Sequence, residues 1–91
     1  MTDSSAVQLT LLFDGACPLC MREVRFLKVR DLNKRIAFVD IDDQEYAAAD
    51  HGGITYREAM GRIHALRADG TVLQDVEVFR EAYRLVGLGW V

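Results

Sequence analysis

The sequence predicts an α/β fold: a four-stranded mixed sheet in which a parallel β-α-β unit is followed by an antiparallel hairpin, with helices packed alongside. Two features carry that expectation. Short apolar runs at residues 8–13 and 35–41 bracket an amphipathic stretch, the pattern of a strand, a crossover helix and a parallel strand. Further on, Asp69-Gly70 separates two strand-like runs, which is a strong local signal for a tight hairpin.

Each element follows from its residues. Residues 8–13 form a short apolar run stopped by Asp14-Gly15, which suits a buried strand. From Pro18 to about Asp31, Cys20, Val24, Leu27 and Asp31 recur at helical spacing, with Arg22, Arg25, Lys28 and Arg30 elsewhere, a cationic face read as solvated surface. Proline in the first turn gives up an amide that has no intrahelical partner anyway. Residues 35–41, rich in Ile, Phe and Val, end at Asp42-Asp43 and read as the second strand. Residues 44–50 have short helical character, broken by Gly52-Gly53. Thr55 with Glu58 has the spacing of a capping box for another helical turn reaching Met60. Residues 62–68 and 71–74 are the hairpin strands, with both turn residues expected at positive φ. Asp75 is placed to cap a last helix over 76–86, whose inner face is read as Val76, Phe79, Tyr83 and Val86. Strand, helix, strand, short helix, two strands and helix is the thioredoxin-like order.

Ninety-one residues make a single domain, with residues 1–6 as a loose leader. With 51% hydrophobic and 27% charged residues, the chain has enough apolar surface to fold, which argues against extensive disorder. A net charge of −3 gives no reason to expect a nucleic-acid partner. No run approaches the roughly 18 apolar residues of a membrane span. Met1-Thr2-Asp3-Ser4-Ser5 puts an acidic residue where a secretory leader carries positive charge. The expectation is a cytoplasmic location, where two closely spaced cysteines serve catalysis or metal binding rather than a structural staple. The chain closes on Leu85-Val86-Gly87-Leu88-Gly89-Trp90-Val91, unusually apolar for a terminus, which suggests truncation or a tail that docks. Trp90 and Tyr83 are read as packing residues.

Cys17-Pro18-Leu19-Cys20 lies where the first strand hands over to the first helix, the carboxyl end of a sheet where α/β sites form. A thiol at a helix N-terminus meets unpaired amides and the positive end of the dipole, which lower its pKa. Cys20 lies one turn later, within reach of a mixed disulfide formed at Cys17. The competing reading is a non-catalytic module whose CxxC is half of a zinc site or supports a partner-binding surface. Zinc needs about four ligands, and with no further cysteine and only His51 and His64, without pair spacing, completion would require oligomerisation or additional sequence. A third reading has Cys20 as an inert core thiol. Asp14 either caps the turn and the helix amides or exchanges a proton with Cys20; the capping role is preferred, because a nearby negative charge opposes a Cys17 thiolate. An apolar strand ending in Asp is also similar to the haloacid-dehalogenase-like phosphatases, with Asp40, Asp42 and Asp43 as candidate magnesium oxygens, but Ala16 stands where their second Asp belongs. His51 is read as loop, and His64 as a strand residue without a catalytic role.

The run from Leu11 through Phe13-Asp14-Gly15-Ala16-Cys17-Pro18-Leu19-Cys20, followed by Arg22-Glu23-Val24-Arg25-Phe26-Leu27, closely resembles the DCC-type thiol–disulfide oxidoreductases, whose label is matched by Asp14, Cys17 and Cys20. The likeness continues through Ile36-Ala37-Phe38-Val39-Asp40-Ile41 and Ile63-His64-Ala65-Leu66 with Asp69-Gly70. It implies a thioredoxin-like fold and disulfide oxidoreductase activity, with members usually running on past this chain's last residue. Catalysis falls to Cys17 and Cys20, supported by Asp14, Gly15 and Pro18. The partners are a disulfide-containing protein or small thiol and an electron donor such as glutathione or a reductase, with no organic cofactor. The chain departs from thioredoxins in two places. Ala16 replaces the Trp before the first cysteine, and with Pro18 as the only proline, Gly61 or its neighbours must stand where thioredoxins place a cis-proline.

Overall fold

A computed structural model describes residues 7–43 and 46–87. Its elements, in chain order, are β1 (Leu9–Phe13), α1 (Pro18–Arg30), β2 (Ile36–Asp40), a 3₁₀ turn (Ala48–Asp50), α2 (Tyr56–Gly61), β3 (His64–Arg67), β4 (Val72–Gln74) and α3 (Val76–Leu85). The leader 1–6, Gln44 and Glu45 of the expected short helix, and Trp90 with the other residues of 88–91 lie outside the described residues.

The sheet order is β2-β1-β3-β4. β1 pairs parallel with β2, Leu9 opposite Ile36 and Phe13 opposite Asp40, and antiparallel with β3, Leu9 opposite Arg67. β4 pairs antiparallel with β3. This is the mixed four-stranded, thioredoxin-like α/β sheet that the sequence predicts.

β1 lies at the centre because it is apolar on both faces. Leu9, Leu11 and Phe13 pack with Val24 and Leu27 of α1 and with Val78 and Ala82 of α3. Leu12, one residue out of phase, points to the opposite face and packs with Ile41 and Ile54. Burying such aliphatic side chains stabilises the fold by about 1.5–3 kcal/mol each.

α1 ends at Asp31, whose buried carboxylate accepts the N–H groups of Arg35 at 3.0 Å and Ile36 at 2.9 Å. The apolar spacing of the helix thus continues onto an acid because that acid ties the helix exit to the start of β2. The Thr55–Glu58 capping box forms as predicted, with Glu58 N–H on the Thr55 hydroxyl and Thr55 N–H on the Glu58 carboxylate.

Three local expectations are corrected. Of Asp69 and Gly70 only Gly70 has positive φ, +92°. Gly70 N–H donates to Arg67 C=O and Arg67 N–H to Thr71 C=O, closing a three-residue loop, while the Asp69 carboxylate takes up the Thr71 N–H. Asp75 stands at the N-terminus of α3 but its side chain does not cap it. Its φ of +56° departs from the extended backbone a cap requires, and its carboxylate lies 3.6 Å from the Arg62 guanidinium instead. Finally, α3 is rotated from the expected face. Val78 and Ala82 are buried against the sheet, Phe79, Tyr83 and Val86 are half-buried, and Val76 is exposed.

Candidate active site

Both cysteines are free thiols. The backbone at Cys17 is extended (φ −97°, ψ 115°), which makes this residue the N-cap of α1, followed by Pro18 in the first turn. Its sulfur does what a serine or aspartate oxygen commonly does there, accepting the N–H of Cys20 at 3.3 Å. Neither thiol is sealed in the core.

The two thiols sit in opposite electrostatic situations. The Cys17 thiol is lowered from its ordinary value by the hydrogen bond from the Cys20 thiol, then by the N–H groups of Cys20 and Leu19; partial burial and the negative charge of Asp14 oppose the shift. Cys20 is pushed up to about 11, first by burial, then by its donation to the Cys17 sulfur and by the charges of Cys17 and Asp14. One thiol is thus favoured as an anion and its neighbour is kept as a proton donor.

A short, fully tied turn sets this geometry. Cys17 N–H donates to Asp14 C=O at 3.0 Å, and Ala16 N–H to the Asp14 carboxylate at 2.9 Å. Asp14 therefore caps the turn as expected but not the helix amides, since Cys17 holds that position. Gly15 N–H donates to the Asp40 carboxylate at 2.8 Å. A Cβ on Gly15 would fall 2.0 Å from the Asp40 Oδ2, so any side chain there must displace the Asp40 carboxylate.

The dithiol opens on a cleft of about 180 Å³ lined by Asp14, Cys17 and Cys20 together with Ala59, Met60, Arg62 and Ile63. Behind Cys20 a second, apolar cavity of about 210 Å³ runs between α1 and α3, lined among others by Leu19, Glu23 and Phe79. No cis peptide bond occurs among the described residues, and Arg62, next to Gly61, and Ile63, one residue further on, line the thiol cleft at the entrance to β3. From the sequence Asp40 reads only as a solvated strand end or a magnesium oxygen, Arg62 only as a neighbour of Gly61 and Ile63 only as part of the late family-like run, because their placement at the thiols depends on how the sheet and α2 come together.

Neither histidine lines the thiol cleft. His64 is buried, its Nδ1 bonded to the Arg62 carbonyl at 2.8 Å and its Nε2 to the Gln74 side-chain amide at 3.1 Å. The His51 ring bonds the Ala47 carbonyl and stacks on Tyr46. Among the described residues no three His, Cys, Asp or Glu side chains come together as a metal-binding group, so the zinc reading finds no third ligand there. The Asp40 carboxylate, a candidate magnesium ligand in the phosphatase reading, is engaged with backbone N–H groups. Among the described residues no helix is long and apolar enough to cross a membrane.

A family model for DCC1-like thiol-disulfide oxidoreductases matches residues 11–91. The chain is also 48% identical over 85 residues to an Arabidopsis thaliana protein named only as uncharacterized and chloroplastic. That likeness covers 92% of this chain and 40% of the relative, so the chain spans well under half the relative's length. No solved structure matches.

Proposed function

The chain belongs to the DCC1-like thiol-disulfide oxidoreductase family, and on that premise we propose that it exchanges disulfides through the Cys17–Cys20 pair. The observation that carries the proposal is the Cys17 sulfur seated at the N-terminus of α1, accepting the Cys20 N–H while the Cys20 thiol remains protonated beside it.

In the reductive direction, the Cys17 thiolate attacks one sulfur of a substrate disulfide. The substrate's S–S bond breaks, its other sulfur leaves as a thiolate that takes up a proton, and a mixed disulfide forms. Cys20 then loses its proton and attacks the Cys17 sulfur. The Cys17–Cys20 disulfide forms, the remaining substrate sulfur leaves as a thiol, and two electrons have passed to the substrate. Glutathione or a partner reductase restores the dithiol. In the oxidative direction the same steps run backward. The substrate is a disulfide-containing protein or a small disulfide that reaches the cleft between Asp14 and Arg62.

The cytoplasmic setting expected from the sequence belongs to the same proposal. The name of the Arabidopsis relative assigns that protein to the chloroplast, so fractionation of cells expressing this chain is the direct check of its compartment.

The test is reduction of insulin or of glutathione disulfide by the wild type, Cys17→Ser and Cys20→Ser. Cys17→Ser is expected to bring the rate to background, and Cys20→Ser to trap the mixed disulfide. Full activity in Cys17→Ser would remove the assignment.

A further inference from the structure

We infer that Asp40 is a positioning residue for Cys17: from the end of the neighbouring strand, its carboxylate fixes the turn that seats the thiol on the helix end. The inference rests on the reading of Cys17 as the nucleophile and adds to it a residue remote in sequence.

Gly15, Ala16 and Cys17 each carry an N–H group in the turn between the end of β1 and the start of α1. Those of Ala16 and Cys17 are satisfied within the turn by Asp14. The third, on Gly15, is held from outside, by Asp40 Oδ1 at 2.8 Å across 25 residues of sequence. The same oxygen accepts the Asp42 N–H at 2.9 Å, so one atom joins the loops leaving both parallel strands. The seam is continued by Ile41 N–H on Phe13 C=O at 2.8 Å, beside the paired Phe13 and Asp40. The carboxylate fills the space that a side chain at Gly15 would take, a Cβ there lying 2.5 Å from Cγ and 2.6 Å from Oδ1. Gly15 and Asp40 are thus one interlocked unit. Asp40 acts through position rather than charge, because the carboxylate that opposes the Cys17 thiolate is that of Asp14.

The experiment follows the pH dependence of Cys17 alkylation by peptide mass in the full chain, for wild type, Asp40→Asn, Asp40→Ala and Gly15→Ala, with circular dichroism to verify the fold. Asparagine keeps the acceptor oxygen and the shape while removing the charge, and should retain the wild-type midpoint. Asp40→Ala releases Gly15 and should move the midpoint upward, slowing alkylation near neutral pH by about threefold or more. Gly15→Ala forces the same pair apart from the other side and should shift the midpoint in the same direction. An unchanged midpoint in a folded Asp40→Ala or Gly15→Ala protein overturns the inference, as does an Asp40→Asn shift equal to that of alanine. If Asp40→Ala does not fold, Gly15→Ala decides. Because this readout needs no substrate, its failure is distinct from a failure of the dithiol mechanism, which is read from the turnover of Cys17→Ser.

Discussion

The Cys17 sulfur lies 3.3 Å from the N–H of Cys20 and takes it as a hydrogen-bond acceptor, so the residue that starts the helix is also the proposed nucleophile. The chemistry and the capping of α1 therefore draw on the same atom. At near-neutral pH, iodoacetamide is expected to modify Cys17 faster than Cys20 by about tenfold or more, because burial and the neighbouring Cys17 sulfur push the Cys20 thiol up to about 11. Peptide mapping by mass after partial alkylation reads the ratio. Equal rates would contradict the asymmetry.

Asp14 opposes the Cys17 thiolate by its charge and raises Cys20 as well. Asp14→Asn keeps an oxygen for the Ala16 N–H and removes the charge. The alkylation midpoint of Cys17 is expected to fall, with faster modification on the acid side of neutrality and a more oxidising dithiol. A midpoint moving upward would show that the carboxylate supports the thiolate instead.

Asp31 is a structural acid. It is 4% exposed and satisfies two backbone donors at the start of β2. Asp31→Ala leaves those N–H groups without a partner and is expected to cost about 3 kcal/mol in urea unfolding. The alkylation profile of Cys17 should not change, since the helix end that bears the thiol is about four turns away.

Tyr83 donates its hydroxyl to Glu23, joining α3 to α1 beside the Phe26 ring. That bond is the first cause raising the Tyr83 phenol from 10.0 to about 12, with burial second. A folded-state pKa above the unfolded value means that this stabilisation is complete below pH 10 and is lost as the pH climbs toward 12. Tyr83→Phe is expected to lower stability near neutral pH by about 1 kcal/mol and to flatten the alkaline decline. Cys20 adds a second decline between pH 9 and 11 that the variant leaves in place. Unfolding midpoints measured across alkaline pH separate the two.

Much of this architecture can be read from local patterns, because the β-α-β unit, the Thr55–Glu58 box and the Cys17–Cys20 turn each depend on residues near one another in sequence. What local reading misses depends on distance or on backbone sign. Asp40 sits 25 residues from Gly15, and nothing in its own neighbourhood separates a latch from an ordinary solvated strand end. Asp75 has the residue type of a cap but a left-handed backbone that turns its carboxylate toward Arg62. In α3, Val76 and Val78 are equally apolar, and only packing on the sheet selects Val78.

The hairpin loop of Ala68, Asp69 and Gly70 follows Arg67, which pairs with Leu9 at the start of β1, whereas the thiols follow Phe13 at its far end. Four strand steps, about 13 Å of rise, separate the two ends. A fluorophore or surface tether attached at Asp69 would leave the dithiol facing solution, so single-molecule or immobilised assays can be built on this chain without crowding the sulfur chemistry.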